Sequence, residues 1–277
     1  MKILIQDYTN QSSTESRFLY TELNKYENIQ AQFFMPQQQH SIYDMMDSFQ
    51  PDFIIADAIG IHKDLIHYGM NNDLKNKLIL RVNDALDSTQ AGFLENNDFI
   101  KHNVCFFIGN KKTQNKIKYV NLKPCVDLNI PAINLKQKIP LCIISKTKPS
   151  NTVIKDKKCF HVISFEENSN ADMVGPNINI AGLYGNYDCI IFDNIKKLEQ
   201  PFFDALYRCG SVYFNSEDKN LSKQSIELFG QDLNVNNSVD FESVKKILNE
   251  KHTPKNRTKQ LLSNMPIDQS IFTEVNK

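Results

Sequence analysis

The sequence predicts an α/β protein built as two domains. Three observations carry that expectation. Short apolar runs alternate with amphipathic stretches along most of the chain, as in sheets joined by helical crossovers. Several runs, such as Pro51 to Ala56 (PDFIIA), are continuously apolar, which suits parallel strands covered on both faces. At 277 residues, the chain has the length of two domains of ~100 to 150 residues each.

The elements follow in order. Lys2 to Gln6 (KILIQ) reads as a strand, and Ser13 to Tyr26 as a helix with Phe18, Leu19, Leu23 and Tyr26 on one face, opened by hydroxyl side chains that can cap free amides. Ile29 to Met35 is a strand, Ser41 to Phe49 a helix and Pro51 to Ala56 a strand. The alternation continues with Lys63 to Met70 (helix), Lys77 to Val82 (strand), Gly92 to Lys101 (helix) and Val104 to Ile108 (strand). From Ile117 to Lys138 two prolines and no helical period mark a connection, which places the domain boundary near residue 137. The first domain is thus 1–137 and the second 138–277.

The second series is Ile139 to Ser145 and Cys159 to Ser164 as strands, a helix or loop over Asn177 to Leu183, Tyr187 to Phe192 as a strand, Gln200 to Cys209 as a helix and Ser211 to Phe214 as a strand. Lys223 to Phe229, Phe241 to Glu250 and Pro254 to Ser263 read as helices.

Composition narrows the function classes. Hydrophobic residues at 41% and charged residues at 23% fit a globular chain. Lys plus Arg and Asp plus Glu both count 32, so no global field draws the protein to nucleic acid or an anionic membrane. No run approaches the ~18 apolar residues of a membrane span and no signal-peptide core opens the chain, so a cytoplasmic protein is expected. The six cysteines are spread without a CxxC, which fits reduced, mostly buried thiols rather than a zinc site.

The chemistry concentrates in YDCIIFDNIKKLEQPFFDALYRCGSVYF, residues 187 to 214. A helix opening near Pro201 puts Asp204 in its first turn beside a sheet edge, where a carboxylate either accepts from ribose hydroxyls or complements the helix dipole. Phe203-Asp204-Ala205-Leu206-Tyr207-Arg208-Cys209-Gly210 resembles the "F-E-A-L-A-x-G" helix of GT-B glycosyltransferases, in particular the group similar to the spore-maturation CgeB proteins and the family 1-type transferases. His252-Thr253-Pro254-Lys255-Asn256-Arg257 resembles their "H-T-x-x-N-R" helix start, and Tyr119 to Asp127 (YVNLKPCVD) their "hyLPxxxD" linker.

The resemblance covers about half the chain and implies two Rossmann-like domains facing a cleft, with an acceptor domain first and a nucleotide-sugar donor domain second. It departs from the family pattern in three ways, one being that the chain is short for this fold. The first acid of the family's E-x7-E pair is replaced by Lys196, and Gln6 to Glu15 contains no glycine.

That resemblance implies transfer of a sugar from a nucleotide donor to an acceptor, which is a glycan, a lipid-linked glycan, a protein or a DNA base. No cofactor or metal is expected besides the donor, because cations and helix-end amides can offset the leaving diphosphate. Lys146 and Lys148 in SKTKP, with Arg208 and Asp204, are the candidate donor contacts; the lysines equally fit solvated loop charges. A base for the acceptor hydroxyl would come from Asp7, Asp57 or Asp84, which follow three strands of the first domain, unless these are turn or cap residues. His252 and Arg257 read as a helix start and its docking contact. Two other readings stay open: a catalytically silent binding protein of the same fold, and a phage-type DNA base glucosyltransferase using Lys111, Lys112, Lys116 and Lys118.

Overall fold

The computed structural model describes residues 1–6, 14–34, 42–57, 74–75, 77–82, 92, 97–109, 118–122, 125–128, 130–145, 148–149, 160–165, 170–175 and 177–271. It divides into two compact units, Met1–Lys123 with Pro254–Lys277, and Pro124–Thr253.

The first unit holds a parallel six-stranded sheet in the order β2-β1-β3-β4-β5-β6. Its strands are β1 (Lys2–Gln6), β2 (Gln30–Phe34), β3 (Phe53–Asp57), β4 (Leu78–Val82), β5 (Val104–Gly109) and β6 (Tyr119–Asn121). Helices α1 (Thr14–Leu23), α2 (Ile42–Phe49) and α3 (Asp98–Asn103) belong to its crossovers. Apolar residues fill both faces of the central strands: Ile3, Leu4, Ile5, Ile54, Ile55, Leu78, Ile79 and Leu80 are all fully buried. The expected helix at 63–70 lies outside the described residues.

The second unit holds a parallel five-stranded sheet in the order β11-β10-β7-β8-β9. It comprises β7 (Ile139–Ile144), β8 (Phe160–Ser164), β9 (Met173–Val174), β10 (Tyr187–Asp193) and β11 (Ser211–Asn215). The helices are α4 (Asn177–Ile180), which runs into a 3-10 turn at Ala181–Asn186, then α5 (Gln200–Arg208), α6 (Lys219–Phe229) and α7 (Phe241–Lys251). Asp218 caps α6, accepting from Asn220 N at 2.8 Å, so this helix begins four residues before the apolar period becomes visible at Lys223.

Two expectations about organisation are corrected. The boundary falls at 123/124 rather than 137, because the backbone beyond Pro124 is bound by the second unit: Val126 N donates to His252 O at 3.0 Å and Asp127 N to the Asp204 carboxylate at 2.7 Å. The last helix, α8 (Pro254–Leu262), belongs to the first unit, where it packs on α1 and Gln260 Nε2 donates to Asn121 O at 2.9 Å. A third correction is local. The stretch read as a connection contains β6, which pairs parallel to β5.

The connection Ile130 to Lys138 runs close against the 3-10 turn, with Ile133 N donating to Gly182 O at 2.8 Å. A Cβ on Gly182 would lie 2.5 Å from Pro131 O, a backbone atom with little room to retreat. Gly182→Ala is therefore expected to cost about 1 to 3 kcal/mol, read as a lower urea midpoint at unchanged slope.

His252 is buried, with its ring 5.3 Å from that of Phe203 and 5.5 Å from that of Phe229, so its place is in the core of the second unit.

Candidate functional site

In the second sheet the chain passes from β7 outward to β8 and β9, then returns to β10 on the other side of β7. The two crossovers leave in opposite directions, and open α/β sheets bind ligands in the crevice that this reversal opens beyond the strand carboxyl ends. A pocket of about 340 Å³ lies there. Ile144 and Ser145 close β7, Phe192 and Asp193 close β10, and the loop Asn194 to Lys197 leads into the first turn of α5, whose Pro201 and Phe202 complete the wall.

The chain turns sharply at Asn194, whose φ of 56° lies in the left-handed region that asparagine tolerates better than most residues.

The lining combines apolar residues (Ile144, Phe165, Phe192, Ile195, Phe202) with the charged Asp193, Lys196, Lys197 and Glu199. Asp193 is buried, its Oδ1 accepting from Asn215 Nδ2 at 2.7 Å. Lys197 forms an ion pair with Glu199. Lys196 is exposed and, among the described residues, has neither an ion pair nor a hydrogen bond, so its ammonium is available to a ligand.

Asp204 is not part of this wall. It is the fifth residue of α5 rather than in its first turn, and it is fully buried. Oδ1 accepts from Asp127 N at 2.7 Å and Gln200 Nε2 at 3.1 Å; Oδ2 accepts from Asn177 Nδ2 at 2.8 Å. Arg208, one turn on, places a guanidinium nitrogen 3.8 Å from Oδ1 and donates to Asp127 O at 2.7 Å and Ile130 O at 3.1 Å. Burial pushes the Asp204 carboxyl up to about 7, against the opposing pull of the Asp127 amide, Asn177 and Arg208.

The expectation that Asp204 and Arg208 grip the donor is thus corrected. Together they clamp the connecting segment to the second unit, because a buried carboxylate satisfied by its own chain leaves no oxygen for a ribose.

In the first unit, Asp57 ends β3 with its side chain 26% exposed, and its Oδ1 lies 2.9 Å from Arg81 Nε. The Arg81 side chain is fully buried; it also donates to Gln6 O at 2.9 Å and to Ser16 Oγ. This guanidinium ties the carboxyl ends of β1, β3 and β4 to α1. Asp7, Asp84 and Lys146 lie outside the described residues, and Lys148 is exposed. Of the basic cluster weighed for DNA, only Lys118 is described, with its ammonium 5.9 Å from the Phe106 ring centroid. No described helix is long and apolar enough to cross a membrane.

No family model and no curated protein matches the chain, so the narrower likeness to the spore-maturation group has no support beyond its own motifs. Among solved structures, the glycotransferase of kitacinnamycin matches with a TM-score of 0.51 at 8% identity, covering 96% of this chain and 99% of that one. The chain has a GT-B-like fold.

A UDP-N-acetylglucosamine 2-epimerase matches with a TM-score of 0.48 at 9% identity, over 94% of this chain and 90% of the other. The UDP-GlcNAc 2-epimerase from Neisseria meningitidis bound to UDP-GlcNAc does so with 0.45 at 9%, over 95% and 99%.

Sequence reasoning missed Asp193, Asn194 and Lys196 as pocket residues. The signal was present: they follow directly on YDCIIF, the strand that the alternation identified, and loops at that end of a parallel strand line the crevice.

Proposed function

We propose that this GT-B-like chain is a nucleotide-sugar-dependent glycosyltransferase that holds its donor in the pocket between the carboxyl ends of β7 and β10. The pocket's mixed lining carries the reading. Its three phenylalanines suit a nucleobase, and the Lys196 ammonium suits a diphosphate. Fold likeness to a glycotransferase supports the same chemistry. Lys146 and Lys148, which follow β7, would add positive charge beside the leaving diphosphate, lowering the energy of the transition state rather than of the bound donor. Asp7, Asp57 and Asp84 remain the candidate bases for an acceptor hydroxyl.

A second reading, a silent binding protein of this fold, is favoured by one observation: Asp204 and Arg208 are spent on holding the connecting segment.

Both readings are tested by a thermal-shift panel of UDP, ADP, GDP and dTDP with their glucose conjugates, followed by a donor-hydrolysis assay. A transferase shows stabilisation and slow sugar release; stabilisation without release identifies the silent binder, and no response from any nucleotide refutes both. Lys196→Gln is expected to weaken the best nucleoside diphosphate by about 10-fold in titration calorimetry, the loss of one charge-assisted contact.

A further inference from the structure

The loop that enters α5 brings three charged residues to the pocket lining: Lys196, Lys197 and Glu199. Lys196 is exposed, whereas the Lys197 ammonium is paired with the Glu199 carboxylate, so the pocket supplies its own anion to the second lysine. We propose that Glu199 competes with the ligand's diphosphate for Lys197: on binding, the phosphates take the ammonium and the carboxylate turns out to solvent. The inference rests on the proposed nucleotide occupancy of that pocket.

Three observations make the exchange easy. The Lys197 and Glu199 side chains are 44% and 49% exposed, and an ion pair this open to water adds little stability and separates readily. Glu199 is the N-cap residue of α5, yet its side chain accepts from no helix amide, so its departure leaves the start of the helix as it was. A phosphate also offers the ammonium the same kind of partner as the carboxylate does, anionic oxygens that accept its N–H bonds.

Were Glu199 to stay in place, its carboxylate would stand beside the phosphates and repel them. Asp193, the other acid of the lining, is buried and held by Asn215 Nδ2 at 2.7 Å, so it is not the group that moves. Two lysines rather than one therefore answer the diphosphate, and Glu199 lowers the affinity for it.

Titration calorimetry at low salt, with the nucleoside diphosphate that gives the largest thermal shift, reads the competition. Glu199→Gln is expected to bind it about 5-fold more tightly than wild type, and Lys197→Gln about 5-fold more weakly. In the Lys197→Gln background the gain from Glu199→Gln is expected to fall below ~2-fold, because no ammonium is left to release. The parent nucleoside, which lacks the phosphates, is expected to bind wild type and Glu199→Gln alike. Both substituted side chains are about half exposed, so the variants are expected to fold as the wild type does.

Weaker or unchanged diphosphate binding by Glu199→Gln overturns the proposal, because the carboxylate then either holds the ligand or stands clear of it. An equal gain with and without Lys197 overturns it as well, since Glu199 then acts only through its field. Absence of nucleotide binding by wild type and variants alike refutes the proposed function and the competition with it, whereas binding that ignores Glu199 refutes the competition alone.

Discussion

Asp204→Ala is expected to lower the stability of the second unit by about 3 to 5 kcal/mol, the cost of stripping a buried charged network of one partner. The Asp127 amide, the Gln200 and Asn177 amides and the Arg208 guanidinium all lose their shared acceptor at once, in a place that water does not reach. Urea denaturation followed by circular dichroism measures the loss, and a change below ~1 kcal/mol contradicts the clamp.

The same carboxyl gives a pH dependence of definite sign. Its folded value, about 7, stands above the ordinary carboxyl value of 3.8, so its contribution is fully present below about 4 and is lost as pH rises through 7. Asp204→Asn does not titrate. Its stability relative to wild type is therefore expected to rise between pH 4 and pH 7 and then level off. A difference that falls with pH over this window contradicts the assignment.

Arg81→Ala is expected to be comparably severe in the first unit, about 3 to 5 kcal/mol. The guanidinium is fully buried and joins Asp57, Gln6 O and Ser16, so its loss leaves a carboxylate, a carbonyl and a hydroxyl without their common donor. A single ammonium cannot reproduce that fork, and Arg81→Lys is expected to recover less than half of the loss. Removing both charges in Arg81→Met with Asp57→Ala is expected to be milder than the sum of the two single changes, since the orphaned carboxylate is then gone. Strict additivity in that cycle contradicts the pairing.

Much of the architecture was legible because parallel strands covered on both faces must be apolar throughout. KILIQ, FIIAD and YDCIIFD sit where their pattern put them, as β1, β3 and β10. Capping chemistry was less visible, and Asp218 shows why: it lies ahead of the apolar period, so the helix it opens begins outside the signal.

The candidate site was legible in region but not in residues. Sequence pointed to the stretch around α5 and to the ends of parallel strands, and the pocket is there. It named Asp204, however, and that carboxylate, the fifth residue of α5, is fully buried, while Lys196, noted only as a departure from a motif, lines the wall.

By itself the sequence determined the α/β class, the place in the chain of every strand except β6 and β9, and the segment that carries the site, because these depend on local periodicity and on hydrophobicity. Only the tertiary structure decided that the last helix returns to the first unit, that Arg81 gathers three strand ends, and that Asp204 meets Asp127 across 77 residues of chain. Those outcomes depend on which distant groups satisfy a buried charge, and a one-dimensional pattern of polar and apolar residues does not record that pairing.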